Sequence, residues 1–215
     1  MTENGVFIVF EGGDGAGKST QLRALAAHLA ATGREVVCTR EPGGTSLGAE
    51  IRRLLLHGDE IAPRAEALLY AADRAHHIET LVKPALKRGA IVLQDRYIDS
   101  SLAYQGAARA LDIDDIAGIS AWATGGLQPD LAVVLDLDPT EGAARRQGRG
   151  EAADRLEAES LEFHRAVRQG FLDRAAQAPD RYLVLDATAP IAELGAKIAA
   201  KTDEILTGKR KSTNF

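Results

Sequence analysis

The chain has 215 residues, of which 45% are hydrophobic and 27% charged, and its formal net charge is −5. This length favours one domain spanning residues 1–215. The acidic balance argues against a nucleic-acid partner, because such proteins normally carry an excess of basic residues. The single cysteine, Cys38, excludes an intramolecular disulfide. The sequence shows no leader-like segment and no apolar run long enough to span a bilayer. We therefore expect a cytoplasmic protein with no membrane partner.

Five short apolar runs alternate with helical patterns along the chain. The runs begin at Val6, Glu35, Ala90, Leu131 and Tyr182. Such runs are typical of strands buried on both faces of a parallel sheet. Apolar residues recur at helical spacing after Lys18 and across 46–57 and 63–88. The alternation predicts an α/β fold with a doubly wound parallel sheet. The polar tail, 208–215, is expected to fray.

A glycine-rich turn lies between the first strand and the first helix, and residues 12–19 fit the phosphate-binding pattern G-x-x-x-x-G-K-[ST]. Glycines let successive backbone N–H groups face an anion, and the helix N-terminus adds partial positive charge. Lys18 can reach the β- and γ-phosphates of a nucleotide, and the Ser19 hydroxyl can bind Mg²⁺. The predicted ATP-binding residues of this turn are Gly12, Gly13, Gly15, Ala16, Gly17, Lys18, Ser19 and Thr20.

A phosphate-binding turn alone does not separate kinases from switch GTPases or motor ATPases. Guanine-specific GTPases need an Asn-Lys-x-Asp element, and the only asparagines here are Asn4 and Asn214. This argues against a nucleotide switch. A non-catalytic nucleotide-binding module stays an alternative, as does a kinase for another nucleoside monophosphate or a deoxynucleoside.

Five segments, in order, resemble the thymidylate kinase family in its bacterial form. They are 11–21, 39–45, 68–74, 95–106 and 150–157, so the similarity covers nearly the whole chain. The resemblance implies a P-loop kinase domain with a five-stranded parallel sheet in the order 2-3-1-4-5. It also implies transfer of the γ-phosphoryl group of ATP to dTMP, with Mg²⁺, in a homodimer.

The resemblance also assigns an acceptor site. It implies that Asp14 bonds the 3′-hydroxyl of dTMP, that Tyr70 stacks on thymine and that Arg74 bonds thymine O4. Tyr70 and Arg74 are four residues apart, so they share one face of a helix. Tyr104 is expected to fill the space beside C2′ and so disfavour ribonucleotides. The full predicted substrate set is Asp14, Arg40, Glu41, Pro42, Tyr70, Arg74, Arg96, Ser101, Tyr104 and Gln105.

Asp95 and Arg96 directly follow the third predicted strand. This places them at the carboxyl edge of the sheet, where ligands of open α/β folds bind. Asp95 is suited to Mg²⁺, together with Ser19. Arg96 resembles an arginine that holds phosphate between donor and acceptor in the family.

An arginine-rich segment, about 145–156, is interrupted by Gly148 and Gly150. A charged surface loop is one interpretation. The other is a short mobile lid whose guanidiniums bind phosphate oxygens bidentately. Eukaryotic relatives carry an arginine where this chain has Gly15, and the resemblance implies that Arg149 and Arg155 supply that charge instead. The predicted catalytic set is Lys18, Arg96, Arg149 and Arg155. Either Arg145 or Arg146 is expected at adenine, and Arg145 is included in the ATP-binding set.

Overall fold

The computed structural model describes residues 5–109, 111–148 and 154–212. Its strands are β1 (Val6–Glu11), β2 (Val36–Arg40), β3 (Ile91–Asp95), β4 (Leu131–Asp136) and β5 (Tyr182–Asp186). They form one parallel sheet in the order β2-β3-β1-β4-β5. The predicted α/β class and strand order are confirmed.

Helices flank this sheet. They are α1 (Lys18–Ala30), α2 (Ser46–His57), α3 (Pro63–His77), α4 (Lys83–Lys87), α5 (Ile98–Ser101), α6 (Ile113–Thr124), α7 (Pro139–Gln147), α8 (Leu161–Gln177) and α9 (Ile191–Ser212). Two π-helical segments, Ile78–Val82 and Leu102–Ala108, follow α3 and α5, and a 3₁₀ turn, Pro179–Arg181, precedes β5.

The central strand β1 is almost uniformly apolar because it is buried between two hydrophobic clusters. Ile8 and Phe10 belong to a cluster with Leu25 of α1 and Ile198 of α9. Phe7 belongs to another cluster with Ile78 and Val82. Because successive strand side chains point to opposite faces, both faces of β1 need apolar residues. The strand is thereby fixed with its carboxyl end beside the glycine-rich turn.

The end of the chain differs from expectation. Helix α9 continues to Ser212, so the segment predicted to fray from 208 is helical up to that residue. Residues 213–215 lie outside the described residues. Within the described ranges, no helix combines the length and the apolar composition that crossing a membrane requires.

Candidate active site

The glycine-rich turn between β1 and α1 forms a backbone cradle. Gly12, Gly15 and Gly17 have φ values of 128°, 83° and 94°, a region that L side chains rarely adopt. A Cβ at Gly12 would lie 2.4 Å from the Leu135 oxygen, and one at Gly15 would lie 2.5 Å from the Gly142 oxygen. The turn therefore packs backbone to backbone against its neighbours. A side chain at Gly15 has no room, which fits the expectation that further positive charge comes from outside the turn.

Lys18 begins α1 and lies within the cradle. Its Nζ donates to the backbone oxygens of Gly12, at 2.8 Å, and Gly13, at 2.9 Å. Burial lowers the pKa of Lys18, and the charge of Arg96 adds to that effect. Ser19, Thr20 and Arg40 line the same cleft, which is called the phosphate cleft below. The predicted phosphate-binding residues are thus brought together.

Ser19 and Asp95 form a pair suited to a hard cation. The Ser19 hydroxyl donates to Asp95 Oδ2 over 3.2 Å. Asp95 Oδ1 is buried and has no hydrogen-bond partner among the described residues. Mg²⁺ prefers oxygen ligands and commonly takes only one or two from the protein, with water and phosphate supplying the rest. The donor set therefore fits Mg²⁺.

Arg96 joins this cleft to a second one. It lies after β3 with φ of 67°, the only positive φ at a non-glycine residue in the described ranges. Its Nη2 donates to Asp14 Oδ1 and, over 3.1 Å, to the Tyr104 hydroxyl. That hydroxyl in turn donates to Asp14 Oδ2 over 3.0 Å. Burial alone would raise the pKa of Asp14, but Arg96 and Lys18 hold it well below its usual range. Asp14 is therefore an ionised carboxylate between the two clefts.

The second cleft contains most of the predicted acceptor residues. Tyr70 is half-buried on α3, and Tyr104 and Gln105 come from the π-helical segment 102–108. The expected residues that line it are Asp14, Glu41, Pro42, Tyr70, Arg74, Arg96, Ser101, Tyr104 and Gln105. Arg40 differs, since it is exposed and lines the phosphate cleft instead.

Arg74 is held rigidly in the wall of this second cleft. It is 2% exposed, and its Nε donates to Glu41 Oε2 over 2.8 Å. Its Nη2 donates to the Tyr97 oxygen, at 3.1 Å, and to Ser101 Oγ, at 3.0 Å. Glu41 also pairs with His77 Nδ1, at 2.9 Å. The Glu41 carboxylate is thus shared between Arg74 and His77, and it helps to hold Arg74 in place.

The family model for thymidylate kinase matches residues 10–198 of the chain. The chain belongs to the thymidylate kinase family. It is 58% identical over 201 residues to a thymidylate kinase of Leifsonia xyli subsp. xyli, which covers 93% of this chain and 95% of that protein. It is 56% identical over 203 residues to a thymidylate kinase of Clavibacter michiganensis, covering 94% and 96%. The crystal structure of the thymidylate kinase from Ehrlichia chaffeensis superposes with a TM-score of 0.76 at 32% identity, covering 92% of this chain and 98% of that one.

Two arginines of the predicted lid, Arg145 and Arg146, diverge at the end of α7. Arg146 Nη1 donates to the Asp14 backbone oxygen over 3.0 Å, and Arg146 lines the phosphate cleft. Arg145 Nη2 donates to the Ala187 oxygen, over 3.1 Å, in the loop between β5 and α9. Arg149 lies outside the described residues. Among the described residues of the arginine-rich segment, Arg146 therefore contacts the cradle.

Arg155 does not lie where the resemblance led us to expect it. Its Nη2 donates to Glu66 Oε2, and its Nε donates to the Leu55 oxygen over 2.9 Å. The phosphate cleft is lined by other residues. The physical reason is charge: Glu66 is fully buried, and its carboxylate requires a cationic partner. In this structure Arg155 lies against Glu66 and Leu55 and does not line the phosphate cleft, so its catalytic role stays a prediction.

Arg52 was not anticipated from the sequence. It lies on α2, lines both clefts, and donates from Nη1 to the Pro42 oxygen over 3.1 Å. Burial lowers the pKa of Arg52, and the charge of Arg40 contributes. The available signal was its spacing, since it shares a helix face with the buried residues Gly48 and Leu55. An arginine on a buried face is an anion-binding candidate.

Proposed function

We propose that this protein transfers the γ-phosphoryl group of ATP to dTMP, giving ADP and dTDP. Membership of the thymidylate kinase family identifies the two substrates. One geometric observation carries the proposal beyond the family name. Asp14, Arg96 and Tyr104 bond one another at the point where the phosphate cradle meets the second cleft. A donor phosphate and an acceptor phosphate held in these clefts would meet at Arg96.

On the donor side, the backbone N–H groups of the cradle and Lys18 bind the phosphates of ATP. Ser19 and Asp95 would hold Mg²⁺, which would supply positive charge against the charge that develops during transfer. Arg145 lies beside the β5–α9 loop, and we assign it to the adenine end of ATP. Thr20 and Arg40 complete the donor cleft, with Arg52 between donor and acceptor.

On the acceptor side, Tyr70 stacks on thymine and Arg74 donates to O4. Arg74 is already fixed by Glu41, Ser101 and the Tyr97 oxygen, so little conformational entropy is lost when the base binds. Asp14 accepts from the 3′-hydroxyl, and the Tyr104 ring occupies the space beside C2′. Pro42 and Gln105 complete the wall of this pocket.

Transfer needs no general base on the protein, because the attacking phosphate oxygen is already anionic near neutral pH. Positioning and charge stabilisation supply most of the acceleration in such reactions. Lys18 and Arg96 provide fixed positive charge, and Arg146 adds charge from the lid. Arg149 is assigned to the same role on the resemblance alone. Lid closure excludes water and so suppresses hydrolysis of ATP.

We also propose a homodimer, as the family resemblance implies. Helix α3 packs against both α2 and α6, and all three helices carry exposed apolar side chains. These are Leu47, Leu54, Leu68, Ile113 and Trp122.

Trp122 is the only tryptophan and is 84% exposed, so covering it with a second copy would shift its fluorescence to shorter wavelength. Dilution should reverse the shift, and Trp122→Glu should sediment as a monomer. A wild type that is monomeric at micromolar concentration would contradict this assignment. We place the dimer in the cytoplasm, where ATP is available.

The proposed reaction is tested by identifying its product. Purified protein is incubated with ATP, Mg²⁺ and dTMP, and nucleotides are separated by anion exchange. We expect dTDP and ADP in equal amounts, with far less of both formed by Lys18→Ala in the same time. ADP formed without dTDP would identify a nucleotide hydrolase or switch instead.

A further inference from the structure

Glu11 is a buried carboxylate that faces neither substrate cleft. It ends β1 and is 0% exposed. Its Oε1 accepts from the Tyr97 N–H over 2.8 Å, and its Oε2 accepts from the Ser100 hydroxyl over 2.6 Å. Removing a carboxylate from water is costly even when it is hydrogen-bonded. Because an apolar residue would avoid this cost, we expect the glutamate to have a role other than packing.

The contacts of Glu11 converge on Arg96. The backbone of Arg96 lies at φ of 67°, a conformation that costs free energy in a residue with a side chain and persists only when its surroundings enforce it. The Arg96 N–H donates to the Phe10 oxygen over 2.9 Å, and the Arg96 oxygen accepts from Gln94 Nε2 over 3.0 Å. Glu11 accepts a hydrogen bond from the N–H of Tyr97, the residue that follows Arg96. Three contacts thus fix the turn that carries Arg96.

Glu11 also reaches the guanidinium through one intermediate. Ser100 Oγ donates to Glu11 and accepts from Arg96 Nη1 over 3.2 Å. The hydroxyl proton of Ser100 is therefore directed to Glu11, and a lone pair of the Ser100 oxygen faces the arginine. Both the backbone and the side chain of Arg96 are connected to the same buried carboxylate.

We propose that Glu11 is a positioning residue for the acceptor phosphate, which it serves by holding Arg96 over the junction of the two clefts. This inference rests on the proposed function, because it takes Arg96 as the ligand of the dTMP phosphate. Glu11 itself touches no substrate. Its effect should be confined to the part of the binding free energy that depends on the phosphate.

The comparison of dTMP with thymidine isolates that part. Affinities for both ligands are measured by calorimetry on wild type, Glu11→Gln and Ser100→Ala. Glutamine keeps the size of Glu11 but loses its charge and one acceptor. We expect dTMP affinity to fall about fivefold to tenfold in each variant, which lies within the range of coupling between residues in one network. Thymidine affinity should change less than about twofold. A residue that serves folding alone would change both affinities together, or neither.

The Arg96→Ala background supplies the control. Without Arg96, adding Glu11→Gln or Ser100→Ala should change dTMP affinity no further, since the group they position is gone. Equal losses in both backgrounds would overturn the inference, as would a normal preference for dTMP over thymidine in both single variants. Ser100→Ala removes a single oxygen, so it tests the link from Glu11 through Ser100 to Arg96 even if Glu11→Gln does not fold. A wild type that binds dTMP no better than thymidine would contradict the proposed function itself, which separates the two failures.

Discussion

The guanidinium of Arg155 donates to the carboxylate of Glu66, which has no exposed surface. Glu66 also accepts from Gln105 Nε2, over 2.8 Å, in the wall of the acceptor cleft. The arginine-rich segment is therefore connected at Arg155 to the wall of the second cleft through one buried carboxylate. Arg109 lies 3.5 Å from the same carboxylate and is bonded to Glu159. Arg155 is consequently the principal cation facing Glu66.

We expect Arg155→Ala to lower stability, because it leaves a buried carboxylate with weaker compensation. The cost should be about 2–3 kcal/mol, which corresponds to a fall in Tm of about 5–10 °C for a chain of this size. The double variant Arg155→Ala with Glu66→Gln should be more stable than the sum of the single changes predicts. Thermal unfolding of the four proteins measures this, with the exposed Arg165→Ala as the matched control.

The expectation from the family resemblance gives the opposite pattern for the same variant. If Arg155 acts on the donor phosphates, its loss would lower kcat by roughly 10²-fold or more at an unchanged Tm. In our account the larger loss of kcat belongs to Arg146→Ala, because Arg146 contacts the cradle backbone. Steady-state kinetics on both variants separates these alternatives.

Lys18→Ala should fold normally and lose activity. The side chain lies in the cradle, bonded to Gly12 and Gly13, so its removal takes charge from the phosphates rather than packing from the core. We expect kcat to fall by at least about 10²-fold. Lys197→Ala, on the exposed face of α9, is the control. A Lys18→Ala enzyme with wild-type kcat would refute the phosphate-binding assignment.

Tyr104 should set the preference for deoxyribose through the bulk of its ring. Tyr104→Ala is expected to narrow the ratio of kcat/KM for dTMP over its ribonucleotide. Tyr104→Phe is the matched control, because it keeps the ring and removes the hydroxyl that bonds Asp14 and Arg96. The Phe variant should retain the ratio while losing kcat. An unchanged ratio in a folded Ala variant would exclude Tyr104 as the discriminating residue.

The stability contributed by Glu11 should depend on pH. Burial and the Asp99 carboxylate raise its pKa to about 7, although Ser100, Arg96 and the Tyr97 N–H oppose the shift. A carboxyl with a raised pKa binds its proton more tightly in the folded state, so folding loses stability as pH rises from its ordinary value of 4.5 towards 7. Glu11→Gln removes this dependence. The Tm of wild type relative to Glu11→Gln should therefore be lower at pH 8 than at pH 5. A difference that is constant with pH would contradict the raised pKa.

Sequence patterns predicted the sheet well, because its central strands are buried on both faces and are therefore mostly apolar. The ranges 46–57 and 63–88 likewise matched α2 and the run from α3 to α4. The glycine-rich turn was predictable because its function constrains consecutive residues. These features depend on local order along the chain.

The missed features depend on contacts across the fold. Glu11 and Arg96 are far apart in sequence and become neighbours, linked through Ser100, only because β1 and β3 pair in parallel. Arg155 reaches Glu66 over 89 positions, which no motif encodes. Arg52 required knowledge of where α2 lies relative to both clefts. The spacing of residues along α2 indicated which face of the helix carries Arg52, but it did not indicate what Arg52 binds.

The most direct test of the account is the specificity of phosphoryl transfer. Initial rates of ADP formation are measured with ATP and, in turn, dTMP, dUMP, dCMP, dGMP, AMP and thymidine. We predict the highest kcat/KM for dTMP, with dUMP lower by about tenfold or more because the pocket loses one methyl contact. Thymidine should give no product, since it lacks the phosphate that Arg96 binds. A kcat/KM for another acceptor equal to or above that for dTMP would contradict the central claim.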